Sequence, residues 1–394
     1  MVRQRLLTQV AHQSFLVERI DRPQQSPQPE EHGAAPSRPI YEAGRSRHMA
    51  GEWVFELGGE QPQLAHAELD ELLTAAGCAP AFTEADGLRL RCTLAQPPPT
   101  GLLARLGMVR SGGEFAAAGS LTELETAAVA IDLGAARFAV RCAPGALNPQ
   151  AVNRRLGAAL AKHGRVDLEQ PEITVRVFQG DALELMLERE PTGYRRCLEH
   201  HLNRRPRFAP VSLPPRLARA MVNLALPSGA AAGAAAGAEG DTAVAAPTGD
   251  GQLLDPFCGT GGLLIEAADC GLAASGGDFD GEMVAATREN LQHFGFAAEL
   301  EQGDAAAVVQ RVRPAAIATD PPYGRSASTA REPLSELLAR FGAACAEALP
   351  AGGRLVLALP DPALLPQAGF SELFRCEWYV HGSLTRHLLL LERD

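Results

Sequence analysis

Gln252-Leu253-Leu254-Asp255-Pro256-Phe257-Cys258-Gly259-Thr260-Gly261-Gly262-Leu263-Leu264-Ile265-Glu266-Ala267-Ala268 is the stretch whose reading decides the fold. Gln252 to Leu254 reads as a short apolar strand, and Leu263 to Ala268 has helical spacing. Between them Gly259, Gly261 and Gly262 permit a tight turn and close backbone approach. Strand, glycine loop and helix in that order open an α/β unit. The glycine spacing is not that of the dinucleotide fingerprint, and no Gly-Lys-Ser/Thr closes the loop as in a P-loop, so a pyrophosphate is not the expected ligand.

Outward from this loop, three more predicted strands end in acid. Gly276-Gly277-Asp278-Phe279-Asp280 places Asp278 where a carboxylate accepts both ribose hydroxyls, with Phe279 able to pack on adenine. Asp304 follows the strand Ala297 to Glu301 and is a candidate for the adenine amino group. Asp320 ends the apolar strand Ala315 to Thr319. With Asp255, four carboxylates then lie at the carboxyl ends of consecutive parallel strands, the edge where open α/β sheets bind ligands. Any single one could equally be a solvated strand end.

Asp320-Pro321-Pro322-Tyr323 adds a chemistry. The exocyclic amine of a nucleobase is a poor nucleophile because its lone pair is delocalised into the ring. The Asp320 carboxylate and the Pro321 carbonyl can each accept one N–H, which localises the lone pair and aims it out of the ring plane. Two successive prolines stiffen these acceptors, and the Tyr323 ring can stack on the base for in-line attack on a sulfonium methyl. An ordinary strand-to-loop exit would also use Asp-Pro and Pro-Pro.

Asp255 to Gly262, Gly276 to Asp280 and Asp320 to Tyr323 resemble motifs of class I S-adenosylmethionine-dependent amino-methyltransferases. Asp320 to Ser326, Arg204 to Leu213 and Ser383-Leu384-Thr385-Arg386 resemble a narrower group, the archaeal THUMP-domain tRNA guanine N2-methyltransferases, which act at tRNA position 10. The similarity runs from about Gly51 to Asp394 and is densest after Arg204. It implies an α/β fold in which a Rossmann-like, seven-stranded class I methyltransferase domain is preceded by ferredoxin-like and THUMP α+β domains. It also implies S-adenosyl-L-methionine as cofactor, held by Asp255, Gly259, Thr260, Gly261, Asp278, Phe279 and Asp304, with Phe208 to Leu213 folding over it. Asp320, Pro321, Pro322 and Tyr323 become the catalytic set for N2 methylation of guanine in tRNA, as mono- or dimethylation. The alternatives are the same chemistry on guanine N2 of rRNA, adenine N6 of DNA or a protein glutamine, or a noncatalytic RNA-binding module. An activating protein subunit, as eukaryotic relatives use, stays open.

The 394 residues, 46% hydrophobic and 21% charged, suffice for two or three domains. No apolar run reaches the length of a membrane span, and Met1 to Ile20 is broken by charge, so neither a membrane nor a signal peptide is expected. Eight cysteines without a C-x-x-C pair argue for no metal, no disulfide framework and a cytoplasmic location. The net charge of −11 is awkward for an RNA partner, but cations cluster. Arg154, Arg155, Lys162 and Arg165 stand in a stretch without acids, and Arg195, Arg196, Arg204, Arg205, Arg207, Arg216 and Arg219 face the single acid Glu199. Arg154, Arg155, Lys162, Arg204, Arg205, Arg207 and, in the polar loop 324–331, Arg325 are the RNA-binding candidates. Cys197, His200 and His201 read as part of a basic surface rather than as ligands.

Residues 1–50 are polar and aperiodic and read as a disordered extension, with Met49 a candidate start. Residues 51–106 read as a small α+β spacer, ferredoxin-like by resemblance, and 107–190 as the THUMP module gripping the tRNA acceptor end. A basic linker, 191–213, leads to the methyltransferase domain, 214–394, with a flexible Ala/Gly insertion at 228–251 and a terminal hairpin.

Overall fold

The computed structural model describes residues 51–209, 212–226, 252–322, 332–365, 368–381 and 384–394. The extension 1–50, the insertion 228–251, Tyr323, and the loop 324–331 with Arg325 lie outside the described residues.

The first half of the chain forms one sheet. Its strands are β1 (Gly51–Leu57), β2 (Ala81–Asp86), β3 (Arg89–Leu94), β4 (Val109–Gly119), β5 (Arg137–Cys142), β6 (Arg165–Val166), β7 (Ile173–Gln179) and β8 (Leu183–Glu188). They run in the order β2-β3-β1-β4-β8-β7-β5-β6. Helices α1 (Pro62–Ala75), α2 (Leu121–Ala130) and α3 (Pro149–Leu160) accompany them. The long strand β4 makes the sheet continuous: Val109 to Glu114 pair with β1, and Glu114 to Gly119 pair with β8. Two glycines let it pass, since a Cβ on Gly112 would meet the Phe55 ring at 2.5 Å and one on Gly113 the Leu187 carbonyl at 2.3 Å.

The second sheet carries β9 (Leu253–Asp255), β10 (Ala274–Asp278), β11 (Glu299–Gln302), β12 (Ala316–Thr319), β13 (Arg354–Leu359), β14 (Phe370–His381) and β15 (Leu384–Arg393). Among the described residues their order is β11-β10-β9-β12-β13-β15-β14. The strands from β11 to β13 are parallel, and β15 is antiparallel to both its neighbours. Helices α4 (Pro215–Ala225), α5 (Gly262–Asp269), α6 (Gly281–His293), α7 (Ala305–Val312) and α8 (Leu334–Ala348) complete this layer. All six residues of β13 are buried, as expected of a parallel strand covered on both faces. Chain order reverses beside β9, which has β10 on one side and β12 on the other. That is the switch point at which such sheets bind ligands.

The unit 51–106, read from sequence as a spacer, is instead packed into the second layer. Leu64, Leu69 and Leu72 of α1 share one hydrophobic cluster with Leu217 and Met221 of α4 and Leu253 of β9. Glu68 is fully buried and accepts the Gly107 and Met108 amides at 2.8 Å and the Asn223 side-chain amide at 2.7 Å. Burial pushes its carboxyl up and these three donors oppose the rise. Arg354, also buried, donates to the carbonyls of Leu224 and Leu226 and pairs with Glu71 at 2.7 Å. Removing one partner would strand a buried charge, so these contacts fix how the two layers are set together.

Candidate active site

Asp255, Asp278 and Asp320 meet where β9, β10 and β12 end. Asp255 is buried; its Oδ1 accepts from the Thr319 hydroxyl at 2.7 Å and from the Phe257 amide at 3.3 Å. Burial pushes its carboxyl up to about 7 against these two donors, and the charges of Asp278 and Asp320 add to the rise. Asp278 spans the loop: Oδ2 accepts the Gly259 amide and Oδ1 the Asp280 amide, each at 2.9 Å. Burial raises it as well, and the two amides hold it back. Carboxylates made costly to ionise by burial and by one another form a site suited to a cation.

The loop between them has the open geometry its glycines suggest. Gly259 and Gly261 have φ of 53° and 82°. A Cβ at Gly259 would meet nothing within 4 Å, whereas one at Gly261 would press on Thr287 at 2.9 Å. Helix α6 holds the loop from behind: the Thr287 hydroxyl donates to the Gly259 carbonyl at 2.8 Å, and the buried Asn290 amide donates to the Thr260 carbonyl at 2.8 Å. Asn290 also binds the linker, accepting the Arg207 amide at 2.9 Å and donating to the Arg207 carbonyl at 2.6 Å. Ser212 adds a hydroxyl contact of 3.1 Å to Thr260. The segment leading into α4 is therefore tied over the glycine loop, with Phe208 exposed beside it. Asn290→Ala would leave three backbone groups short of a partner, the buried Thr260 carbonyl and the part-buried amide and carbonyl of Arg207. It should cost about 2–3 kcal/mol of stability and weaken donor binding roughly tenfold, read by thermal melting and donor titration.

The other predicted residues fall into two groups. Phe279 follows β10 and is 61% exposed, free to pack on a ligand. Arg154, Lys162, Arg204 and Arg207 are exposed, Arg207 lying 3.5 Å from Glu289. Arg205 is a correction: only 4% exposed, it donates to the His200 carbonyl at 3.0 Å and packs its guanidinium against Gly262, so it cannot face RNA. Arg155 is exposed but gripped bidentately by Glu125 at 2.6 Å. The Asp304 carboxylate caps α7 and is held by both Arg340 nitrogens at 2.9 Å, which keep it below the usual carboxylate range. An adenine amine there would have to share it.

His200 also departs from the basic-surface reading, being buried against Glu266 at 3.1 Å. His200, Glu266 and Asp269 bring ligand atoms within 4.8 Å of one another, a distance pattern compatible with a metal. Arg219 binds both carboxylates and Arg196 binds Asp269, so the charge there is already balanced by arginine.

Asn290, Thr287 and Arg386 went unassigned in the sequence. Thr287 and Asn290 are three apart on α6, a spacing that places both on one helix face. Arg386, on β15, reaches Asp320 Oδ2 with Nη2 at 3.2 Å.

A glycine loop at the switch point of this sheet, flanked by strand-end carboxylates, defines a class I methyltransferase, the class that draws its methyl group from S-adenosylmethionine. Residues 238–371 match the family described as RMKL-like, methyltransferase domain. A tRNA (guanine(10)-N2)-dimethyltransferase of Methanothermobacter thermautotrophicus is 34% identical over 357 residues, covering 87% of this chain and 99% of that protein. One of Pyrococcus abyssi is 30% identical over 262 residues, covering 64% and 71%. Among solved structures, TrmN from Thermus thermophilus is 25% identical with a TM-score of 0.48, covering 87% of this chain and all of that one. The chain belongs to the tRNA (guanine(10)-N2)-dimethyltransferase family. Among the described residues no helix is long and apolar enough to cross a membrane.

Proposed function

We propose that this chain methylates the N2 amine of the guanine at tRNA position 10, up to the dimethyl product carried in its relatives' names. The observation that carries the reading is the convergence of Asp320-Pro321 with the Asp255–Asp278 loop at one sheet edge. S-adenosylmethionine supplies a methyl group on a sulfonium, with a neutral thioether as leaving group. Asp255 and Asp278 provide the negative potential that a cationic donor requires, and Gly259 leaves room for close approach. The Asp320 carboxylate and the Pro321 carbonyl accept the two N2 protons, turning the lone pair out of the base plane, and Tyr323 stacks on the base. The proton released as the N–C bond forms leaves through Asp320 or to water. The target base must leave its helix to reach this pocket, as nucleobase methyltransferases require.

The residue assignments and the domain division belong to the same proposal: a ferredoxin-like unit at 51–106, a THUMP module at 107–190, and phosphate contacts from Arg154, Lys162, Arg204, Arg207 and Arg325. Incubation with labelled donor and unmodified tRNA, followed by nucleoside analysis, should give N2-methylguanosine and then N2,N2-dimethylguanosine. Label in DNA or protein with none in tRNA would overturn the assignment.

A further inference from the structure

Arg386 lies two strands away from the residue it touches. Asp320 follows β12, and β13 separates β12 from β15. Adjacent strands are 4.7–4.9 Å apart, so the side chain must cross roughly 10 Å of sheet. It can do so because β15 overhangs. The last pair between β13 and β15 is Leu359 with His387, so Arg386 stands beyond the end of β13 and can fold across its top. The hairpin supports it from the other side, where Trp378 is its cross-strand partner on the same face. Arg386 is 3% exposed, and its pairing with Asp320 at 3.2 Å is sheltered from water.

A guanidinium at this place has an electrostatic cost, since the site must admit a cationic donor. A neutral side chain would fill the space without that repulsion. Resting on the proposed function, we infer that Arg386 is the positioning residue of the amine-activating carboxylate. By engaging Oδ2 it fixes the plane of the Asp320 carboxylate, so that the group meets the target N–H in one orientation. It also offsets one of the negative charges that Asp255, Asp278 and Asp320 bring together. The antiparallel insertion of β15 thereby acquires a catalytic purpose, since it delivers a long cation to the end of β12. Arginine is needed because its planar fork orients a carboxylate, whereas a lysine ammonium is a point charge on a shorter stem.

The test is a double-mutant cycle on methyl transfer to tRNA. Arg386→Met should lower kcat about 100-fold with KM for donor and tRNA within about threefold of the unsubstituted chain. Arg386→Lys should recover about a tenth of the lost rate. In an Asp320→Asn background, where no carboxylate remains to orient, Arg386→Met should cost less than about threefold more. Donor affinity and melting temperature, measured on each variant, guard against misfolding. Equal losses in both backgrounds, or a raised KM with kcat intact, would overturn the inference while leaving the functional reading in place. An unsubstituted chain that transfers nothing to tRNA would overturn that reading, and this inference with it.

Discussion

Asp320→Ala should lower kcat for tRNA methylation by about 10³-fold while leaving tRNA affinity within about twofold. In the proposed mechanism the substitution removes one of the two acceptors that localise the N2 lone pair, an interaction that strengthens as the nitrogen becomes tetrahedral. An interaction gained mainly in the transition state appears in kcat rather than in binding. The phosphate contacts proposed to dominate RNA affinity come from other elements, Arg204 and Arg207 in the linker and Arg154 and Lys162 on α3 and after it. Donor affinity should change little, because the loop is held by Asp278, Thr287 and Asn290, none of which touches Asp320 through a hydrogen bond described above. Single-turnover kinetics with labelled donor and filter binding of the same variant separate the two effects. Turnover within tenfold of the unsubstituted enzyme would remove Asp320 from the catalytic role.

The donor loop and the strand ends were legible because their signals are local. Glycines at φ of 53° and 82°, apolar strands of three to six residues and acids at their ends all follow from backbone geometry that the sequence displays directly. What was hidden depends on partners far along the chain. Strand β4 reads Val-Arg-Ser-Gly-Gly-Glu-Phe-Ala-Ala-Ala-Gly, a poor strand by propensity, yet Gly112 and Gly113 are there because Phe55 and the Leu187 carbonyl leave no room for a Cβ. Arg205 and His200 look like their neighbours in a basic run, and only folding shows that they turn inward beneath α5. Arg386 belongs to a recognisable terminal motif, but its reach to Asp320 is set by the overhang of β15, a matter of sheet topology.

Asp255 makes the stability of the donor-free chain depend on pH. Below pH 3.8 its carboxyl is protonated in both the folded and the unfolded chain, so the folded state keeps whatever stability burial of the neutral acid allows. Between 3.8 and about 7 the unfolded chain releases the proton and the folded chain retains it, so stability falls as pH rises and levels off above about 7. A lift of that size corresponds to something on the order of 4 kcal/mol, with Asp278 pushed in the same direction by its own burial. Half-buried acids such as Glu125 and Asp167 are shifted downward by their hydrogen-bond donors and act in the opposite sense, but their window lies below the ordinary carboxylate range. The slope between pH 5 and 7 therefore reports on the buried pair together with Glu68, Glu188 and Glu190, whose carboxyls burial raises as well. Urea unfolding across pH 4.5–8 should show it, and Asp255→Asn should reduce it by that residue's share. A cationic donor favours the ionised carboxylate, so donor affinity should rise, by about tenfold, from pH 6 to pH 8 in the unsubstituted chain and not in the variant. A slope undiminished in Asp255→Asn would mean that this carboxyl does not titrate with burial, and donor affinity indifferent to pH would mean that it is not the group which the donor's charge meets.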